Sequence, residues 1–267
     1  MEPAFLNDRA VLAISGPDRH QFLQGLVTND VVGLAPGMGV YAALLSPQGK
    51  ILFDFLLTEG DGVLLLDVAR DSRQALQKKL NMYRLRSKVT IEPRDQLGVY
   101  VDLARDAGSP IAAYDDPRHP KLGRRSSAIS SAMPAALPGP GAYHQRRWDL
   151  GIPEAGDFGF EKIFAMDAGL AELNGISFTK GCYIGQELTS RMKHRATSRK
   201  RILTVTANVA LPAEGVMTRG GTEIGELISS HGKGAFALIR LDRLDESSGD
   251  IAAAGIAANL HKPAWLT

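Results

Sequence analysis

Residues 40–68 constrain the fold of this chain more than any other stretch, because they hold three short apolar runs separated by turn sequences. The runs cover residues 40–45, 51–57 and 63–68. Pro-Gln-Gly lies between the first two runs and Glu-Gly-Asp-Gly between the last two, and both sequences favour tight turns between neighbouring strands. The pattern therefore predicts an antiparallel β-meander.

Helix-type spacing flanks this meander on both sides. Before it, Phe22, Leu23 and Leu26 share one face of a helix. After it, Leu76 and Leu80 lie four residues apart, which again places them on one helical face. A chain that combines helices with hairpins in this order is predicted to be α+β.

Towards the C-terminus the pattern changes to short strands. Strand-like runs alternate with glycine-rich turns at residues 202–207, 223–229 and 235–241. Short strands at such spacing predict a small all-β barrel.

These patterns predict two domains. Residues 1–198 would form the first region, with two interleaved subdomains, and residues 199–267 the C-terminal barrel domain. Residues 106–141 are rich in Pro, Gly, Ala and Ser and show no clean periodicity. We therefore expect a loop-rich crossing between the two subdomains there.

Composition excludes several classes of function. The 267 residues are 44% hydrophobic and 22% charged, which is ordinary for a soluble globular protein. The formal net charge is only +2, so any polyanion-binding surface has to be local. A single cysteine excludes an internal disulfide, and also a four-cysteine zinc or iron–sulfur site built by this chain alone. No run of about 18 apolar residues and no secretory signal pattern is present, so we expect a cytoplasmic protein without a membrane anchor.

The single cysteine, Cys182, lies in residues 180–187, Lys-Gly-Cys-Tyr-Ile-Gly-Gln-Glu, at an expected junction between a loop and a helix. The N-terminal end of a helix and the neighbouring Lys180 both stabilise a thiolate, so we expect Cys182 to have a lowered pKa and redox reactivity. The alternative is the usual one for a free cysteine, a small buried hydrophobic side chain.

Residues 180–187 closely resemble the signature of the YgfZ folate-binding proteins, which are relatives of the glycine-cleavage T-protein. Further segments that resemble this family follow in the expected order, at residues 14–18, 22–26, 28–31, 46–51, 83–89, 116–118 and 150–154. The resemblance covers nearly the whole chain and is weakest in the C-terminal part.

This resemblance implies a T-protein-like fold, with mixed antiparallel sheets and helices around a central cavity, followed by a small C-terminal β-barrel. It also implies that tetrahydrofolate binds in the cavity and that the protein helps to assemble or repair iron–sulfur clusters in client enzymes. Because such clients include enzymes that modify tRNA, an effect on tRNA modification would be indirect. The resemblance implies that Cys182 is the functional residue of its motif, and transient ligation of iron or thiol exchange are the chemistries open to it.

Asp149 is the leading candidate for contact with the cofactor. Residues 147–152 resemble a T-protein stretch in which an acidic residue binds the pterin ring, with Asp in place of the usual Glu. A carboxylate can accept paired hydrogen bonds from an amino-pyrimidinone edge. An ordinary surface position in a turn before Gly151 is the alternative, and for Glu187 the alternative is a favourable acid in a first helical turn. The predicted cofactor residues are Asp149, Lys180, Tyr183, Gln186, Glu187 and Arg191.

Asp54 bears on the choice between catalysis and binding. The aminomethyltransferases that this chain resembles carry a glycine pair and two adjacent acids in the stretch that corresponds to residues 49–54. This chain has Gly49-Lys50 and Phe53-Asp54, so half of each pair is missing. Folate-dependent aminomethyl transfer, with Asp54 as its catalytic residue, is therefore an alternative activity, and the sequence leaves open whether the chain is an enzyme. A lone aspartate on the polar face of a strand is the other interpretation.

Positive charge is concentrated after the cysteine. Seven Lys or Arg residues and His194 lie in the stretch from Lys180 to Arg201. They predict an anion site for a folate glutamate tail, an acidic protein partner or RNA phosphate, through Lys193, Arg195, Arg199, Lys200 and Arg201. A direct RNA-binding modification factor, which would also use the Arg124-Arg125 pair, is a third functional alternative. Cations that complement the end of a helix are the simpler interpretation.

Overall fold

The computed structural model describes residues 2–103, 110–134, 136–195 and 199–266, with the backbone alone for residues 194 and 195. The chain divides into two compact units. The first, which we call the N-terminal unit, consists of Met1–Leu45, Leu52–Arg146 and Leu173–Ile184. The second, the barrel unit, consists of Ser46–Ile51, Arg147–Glu172 and Gly185–Thr267.

The described residues form fifteen strands and six α-helices. The strands are β1 (Ala4–Phe5), β2 (Arg9–Ser15), β3 (Gly39–Leu45), β4 (Ile51–Gly60), β5 (Val63–Ala69), β6 (Thr90–Pro93), β7 (Leu97–Val101), β8 (Ala112–Asp115), β9 (Arg124–Ile129), β10 (Lys200–Ala207), β11 (Gly215–Arg219), β12 (Thr222–His231), β13 (Gly234–Arg240), β14 (Ile251–Ala253) and β15 (Ile256–His261). The helices are α1 (Arg19–Gln24), α2 (Arg73–Arg84), α3 (Gly141–Asp149), α4 (Ala155–Phe158), α5 (Gln186–Arg195) and α6 (Leu241–Glu246).

The predicted meander is confirmed and forms one side of a five-stranded sheet. The strand order is β3-β4-β5-β2-β6, and β4, β5, β2 and β6 pair antiparallel. β4 and β5 are joined by the two-residue turn Asp61-Gly62, which is flanked by the paired residues Gly60 and Val63. Both turn residues have positive φ, 51° for Asp61 and 69° for Gly62, as a type I′ hairpin turn requires. The turn chemistry therefore sets the register of this strand pair.

Helices α1 and α2 bury the faces that their spacing predicts. Leu23 on α1 and Leu76 and Leu80 on α2 are fully buried, in one hydrophobic core with the strand residues Phe55 and Leu66. Each side chain of this size contributes about 1.5–3 kcal/mol when it is fully removed from water. Both helix predictions are thus confirmed, except that α1 ends at Gln24, so the buried Leu26 lies in the turn after it. No helix in the described ranges is long and apolar enough to span a membrane.

The N-terminal unit also contains a four-stranded sheet in the order β1-β7-β9-β8. Two of its strands, β8 and β9, lie in residues 106–141, where composition predicts loops; residues 106–109 and 135 of this stretch lie outside the described ranges. Arg125, Ser126 and Ser127 of β9 are all buried. Because strands are recognised by alternating apolar residues, a strand that buries a guanidinium and two hydroxyls gives no such signal.

The predicted C-terminal barrel is confirmed as a closed six-stranded barrel. Its order is β10-β13-β12-β11-β14-β15, with every described pair antiparallel. The three predicted runs fall in β10, β12 and β13, whereas β11, β14 and β15 were not predicted. Val205, Ile224 and Ala237 are fully buried inside it. Closure leaves the sheet without an unpaired edge.

Residues well before position 199 pack with this barrel. The indole Nε1 of Trp265 donates to the carbonyl oxygen of Leu150 at 2.8 Å, and the Ile202 amide donates to the carbonyl oxygen of Asp167 at 3.2 Å. Contacts of this kind place Arg147–Glu172 in the barrel unit, although the predicted boundary at residue 198 assigns this segment to the first region.

Candidate functional site

Cys182 lies in a loop of the N-terminal unit, Leu173–Ile184, which we call the thiol loop. Cys182 is exposed, whereas Lys180 and Tyr183 on either side of it are only 8% and 7% exposed. The alternative of a buried structural cysteine is therefore wrong. The thiol is presented to solvent between two buried anchors.

Lys180 fastens the thiol loop to the end of α1 and the turn that follows. Its Nζ donates to the carbonyl oxygens of Gln24 and Val27 at 2.7 Å each and of Asn29 at 2.8 Å. Burial lowers the pKa of Lys180 to about 8, and the charge of Asp30 acts in the opposite direction. The three bonds use all three N–H donors of the ammonium, so none is left for a ligand carboxylate. This structural task differs from the cofactor contact that the sequence predicts for Lys180.

Further bonds hold the beginning of the thiol loop to the same turn. Thr28 Oγ1 donates to the carbonyl oxygen of Gly175 at 2.6 Å, and the Ser177 amide donates to the carbonyl oxygen of Thr28 at 3.0 Å. Asn29 Nδ2 donates to the carbonyl oxygen of Asn174 at 2.7 Å. The loop is therefore fixed at both ends, which limits the positions that Cys182 can adopt.

The predicted junction between loop and helix is present, because α5 begins at Gln186. Cys182 precedes this first helical residue by four positions. Effects of the helix dipole fall off within the first turn, so the helix contributes less to a thiolate here than the sequence argument assumes. The thiolate state of Cys182 stays a prediction.

Tyr183, the next predicted cofactor residue, is buried beside Lys180. The Lys180 ammonium lies 5.2 Å from the centre of its ring, a separation at which a cation and an aromatic face attract. Ile184, which follows, packs against the core of the N-terminal unit. Tyr183 and Ile184 thus anchor the C-terminal end of the thiol loop.

Asp54, the predicted catalytic residue of the alternative activity, lies inside β4 and is only 2% exposed. Its Oδ2 accepts a hydrogen bond from Tyr41 Oη at 3.1 Å. The Arg118 guanidinium lies 5.3 Å from the centre of the Tyr41 ring. Asp54 is thus buried beside a polar cluster and does not occupy an exposed polar face of its strand.

That cluster joins five charged side chains whose proximity the sequence does not reveal. Asp67 accepts from Arg9 at 2.6 Å and from Arg125 at 2.6 and 2.9 Å. Asp116 accepts from Arg118 at 2.7 and 2.9 Å, and Arg125 approaches it at 3.4 Å. All five charged side chains are buried. Buried charges in proteins are paired because leaving one alone costs several kcal/mol.

Tyr143 joins two arginines of the cluster, and the pKa of Asp116 reflects the charge of one of them. Tyr143 Oη accepts from Arg118 at 2.8 Å and from Arg125 at 2.7 Å. Burial alone would raise the pKa of Asp116, but the Arg118 guanidinium holds it below its usual value. Because Arg125 is fully buried and bound to carboxylates, its predicted contact with RNA is wrong.

The remaining predicted cofactor residues belong to the barrel unit. Asp149 is the last residue of α3 and is exposed. Gln186 opens α5, and Glu187 in its first turn pairs with Arg191 at 2.5 Å one turn later. Both members of this pair are largely exposed, so it contributes only a few tenths of a kcal/mol, about 0.3–0.5.

A second buried polar centre lies at Asp157 in the barrel unit. Its carboxylate accepts from Arg147 and from Ser229 at 2.6 Å each, and lies 3.0 Å from His231 Nε2. Burial alone would raise the pKa of Asp157, but the His231 hydrogen bond and the Arg147 charge hold it below its usual value. A hydrolytic triad needs the two ring nitrogens of histidine to face different partners, whereas His231 turns the same Nε2 towards Asp157 and Ser229. The geometry of this centre is therefore not that of a hydrolytic triad.

The basic residues after Cys182 have different surroundings in the described structure. Arg201 pairs with Glu172 at 3.5 Å. Arg199 and Lys200 line a cavity of about 300 Å³ in the barrel unit. The side chains of His194 and Arg195 lie outside the described residues. In the part of the chain that is described, no cluster of three His, Cys, Asp or Glu side chains has metal-site geometry.

Comparison with known proteins agrees with this architecture. Residues 199–267 match the family of CAF17 C-terminal β-barrel domains. The glycine cleavage system aminomethyltransferase T from Bartonella henselae superposes with a TM-score of 0.76, over 99% of this chain and 86% of that chain, at 14% identity. At this identity the likeness concerns the fold, and the predicted T-protein-like α+β fold with a C-terminal barrel is confirmed.

Sequence similarity is higher to a group of assembly factors. The human mitochondrial iron–sulfur cluster assembly factor IBA57 is 34% identical over 90% of this chain and 77% of its own length. The IBA57 homologue of Neurospora crassa, also named mitochondrial, is 34% identical over 74% of this chain and 52% of its own length. The names of these relatives give a compartment other than the cytoplasm that composition predicts here. The YgfZ assignment stays a prediction, whereas the coarser expectation of an iron–sulfur assembly family is confirmed. This chain belongs to the family of iron–sulfur cluster assembly factors named IBA57.

Proposed function

We propose that this protein assists the assembly of iron–sulfur clusters through the thiolate of Cys182, which supplies one ligand to iron. The observation that carries the proposal is the exposed thiol on a loop fixed by buried contacts at both ends. A fixed thiolate meets an incoming iron without a further cost of ordering the loop. Iron–sulfur clusters are held by several thiolates, so the other ligands come from a partner protein or the client itself.

The thiol loses its proton when it binds iron, because the thiolate is the metal ligand. In this proposal Lys180 and Tyr183 position the sulfur, and their burial on either side of Cys182 supports this. The iron passes to the client when the client offers a more complete set of thiolates. Each exchange replaces one iron–sulfur bond by another.

Anaerobic maturation of a four-iron client enzyme tests this proposal. Cys182→Ser is expected to abolish the stimulation that the wild-type protein gives, because a serine hydroxyl stays protonated and binds iron poorly. Thr179→Ala is the matched control, because Thr179 is exposed in the same thiol loop. The proposal is wrong if Cys182→Ser stimulates maturation as well as wild type does.

We propose, secondly, that the protein binds tetrahydrofolate, with Asp149 accepting hydrogen bonds from the pterin. Support comes from the T-protein-like fold and from the exposed position of the Asp149 carboxylate. The predicted residues fit the cofactor only in part, because the Lys180 donors are used by carbonyl oxygens and Glu187 pairs with Arg191. Bound folate would supply a one-carbon carrier or a regulatory signal for cluster assembly, with an indirect effect on tRNA modification.

Calorimetry under anaerobic conditions separates the two proposals. Tetrahydrofolate is titrated into wild type, Asp149→Ala and Cys182→Ser. Binding that Asp149→Ala loses and Cys182→Ser keeps supports a folate site distinct from the task of the thiol. Absence of binding to wild type removes the folate proposal and leaves the thiol proposal intact.

A further inference from the structure

Two adjoining cavities lie in the barrel unit. The first, which we call the neutral cavity, has a volume of about 520 Å³ and lies between residues 156–163 and the strands β11 and β12. The second, the basic cavity, has a volume of about 300 Å³. Lys162, Ile163 and Leu238 line both cavities, so the two are direct neighbours. Both volumes fall in the usual range of ligand sites, about 300–1,000 Å³.

The basic cavity is lined by four cationic side chains, Lys162, Arg199, Lys200 and Arg240. Among the described residues that line it, Asp167 is the one acid, and it is 5% exposed. Asp242, just outside, holds Arg240 at 2.9 Å and lies 4.0 Å from Arg199. Outside the cavity, Glu214 also lies 3.9 Å from Lys162, and the charges of Glu223 and Glu246 act on Arg240. The described lining itself carries four cations and one acid, and this balance favours an anionic ligand.

Apolar side chains form part of the basic cavity as well. Ile163, Phe164, Met192 and Leu238 line it between the charged groups. A bare inorganic anion would leave these surfaces without a partner. The lining therefore favours carboxylates carried on a chain that also has apolar atoms.

The neutral cavity differs from the basic cavity in its lining. Phe158, Val216 and Leu227 supply apolar surface, and Val216 is 50% exposed. Glu214, Glu226 and Lys162 also line it, and Lys162 lies 3.9 Å from Glu214. One acid is therefore in excess among these charges, and a carboxylate of the ligand is disfavoured there. This difference gives any ligand that spans both cavities a defined direction.

We infer that the two cavities together bind an acidic peptide segment of a partner protein. A bulky apolar side chain fills the neutral cavity, and the carboxylates beside it along the peptide enter the basic cavity. The charge distribution carries this assignment, because it matches an apolar anchor with adjacent acids and excludes a uniformly acidic segment. The inference does not use Cys182 or folate, so it stands or falls separately from the proposed function.

Fluorescence anisotropy with a labelled Trp-Glu-Glu-Glu-Glu peptide tests the inference. Binding to the full chain is expected to weaken between about 50 and about 200 mM salt, because screening of charges grows over this range. A peptide with Ala in place of Trp, and another with Gln in place of each Glu, should each bind about tenfold more weakly than the parent.

Matched variants assign the binding to the two cavities. Arg199→Glu should weaken binding about tenfold, whereas Lys233→Glu, the same charge change at an exposed barrel turn, should change it less than about twofold. Val216→Asp should weaken binding and Val209→Asp should not, although both valines are about half exposed. Thermal unfolding of each variant confirms that it is folded before binding is compared.

Four results would overturn the inference. They are absence of peptide binding to wild type, equal binding of the Ala peptide, equal loss in Arg199→Glu and Lys233→Glu, and displacement of the peptide by an equimolar uridine pentanucleotide. The last result would assign the basic cavity to RNA phosphate. Loss of folate binding or of cluster assembly in other experiments leaves the peptide result unchanged.

Discussion

Replacing Lys180 by Met removes the clamp that holds the thiol loop while keeping most of the side-chain volume. The ammonium now satisfies three carbonyl oxygens, those of Gln24, Val27 and Asn29. Methionine offers no donor, so these oxygens lose their partner at once. We expect a lower free energy of unfolding and a more mobile thiol loop.

The burial of the three hydrogen bonds determines how much free energy of unfolding Lys180→Met loses. The bond to Val27 is buried, and leaving such an oxygen without a donor costs about 1–3 kcal/mol. The bonds to Gln24 and Asn29 are only partly buried, so water replaces the ammonium and each loss costs about 0.5 kcal/mol. The expected loss is therefore about 2–4 kcal/mol.

Urea unfolding and amide hydrogen exchange measure the two effects. Lys180→Met should lower the free energy of unfolding by this amount and speed exchange at the Ser177 amide, which is bonded to the Thr28 carbonyl oxygen. Lys121→Met, an exposed lysine of the same unit, is the matched control and should change neither quantity. A loss of free energy of unfolding below about 0.5 kcal/mol, with unchanged exchange at Ser177, would show that Lys180 does not hold the thiol loop.

Two further predictions concern the buried polar centres. Arg125→Met should lower the free energy of unfolding by about 3–5 kcal/mol, because it leaves Asp67 and Asp116 short of a buried cation. The control Arg124→Met should change it by less than about 0.5 kcal/mol, and equal losses of the two variants in urea unfolding would contradict this. The folded-state pKa of Asp157 lies below its ordinary value of 3.8. The ionised carboxylate therefore contributes its full stability to the fold above pH 3.8, and this contribution is lost as the pH falls through the lower folded-state pKa. Wild type should therefore exceed Asp157→Asn in stability near neutral pH by a margin that narrows below pH 3.8, and a margin that is constant with pH would exclude this linkage.

Much of the fold was predictable because its signals are local. The Asp61-Gly62 turn specifies a hairpin from two residues, since both adopt positive φ. The spacing of Leu76 and Leu80 specifies the buried face of α2 in the same way. Strands β14 and β15 were missed because they are short and rich in alanine; in β15 the inner residues Ile256, Ala258 and Leu260 alternate with exposed ones, but alanine stands on both faces and weakens the contrast.

The candidate site was predictable only in part. The sequence singles out Cys182 as the one thiol in a loop before a helix, and the structure exposes it there. The sequence does not show what holds the thiol loop, because the partners of Lys180 lie 151 to 156 positions earlier in the chain. Nor does it show that Arg125 is a core residue, since its partner Asp67 is 58 positions away.

The sequence by itself determined the turns, the helix faces, the class of the C-terminal domain and the position of the single thiol. Each of these depends on residues close together in the chain, where backbone geometry and periodicity act directly. Only the tertiary structure decided which charged residues are buried and which remain in water. A lysine or arginine has the same local preferences in both cases, and its burial depends on whether folding brings distant carbonyl or carboxylate oxygens within hydrogen-bond distance.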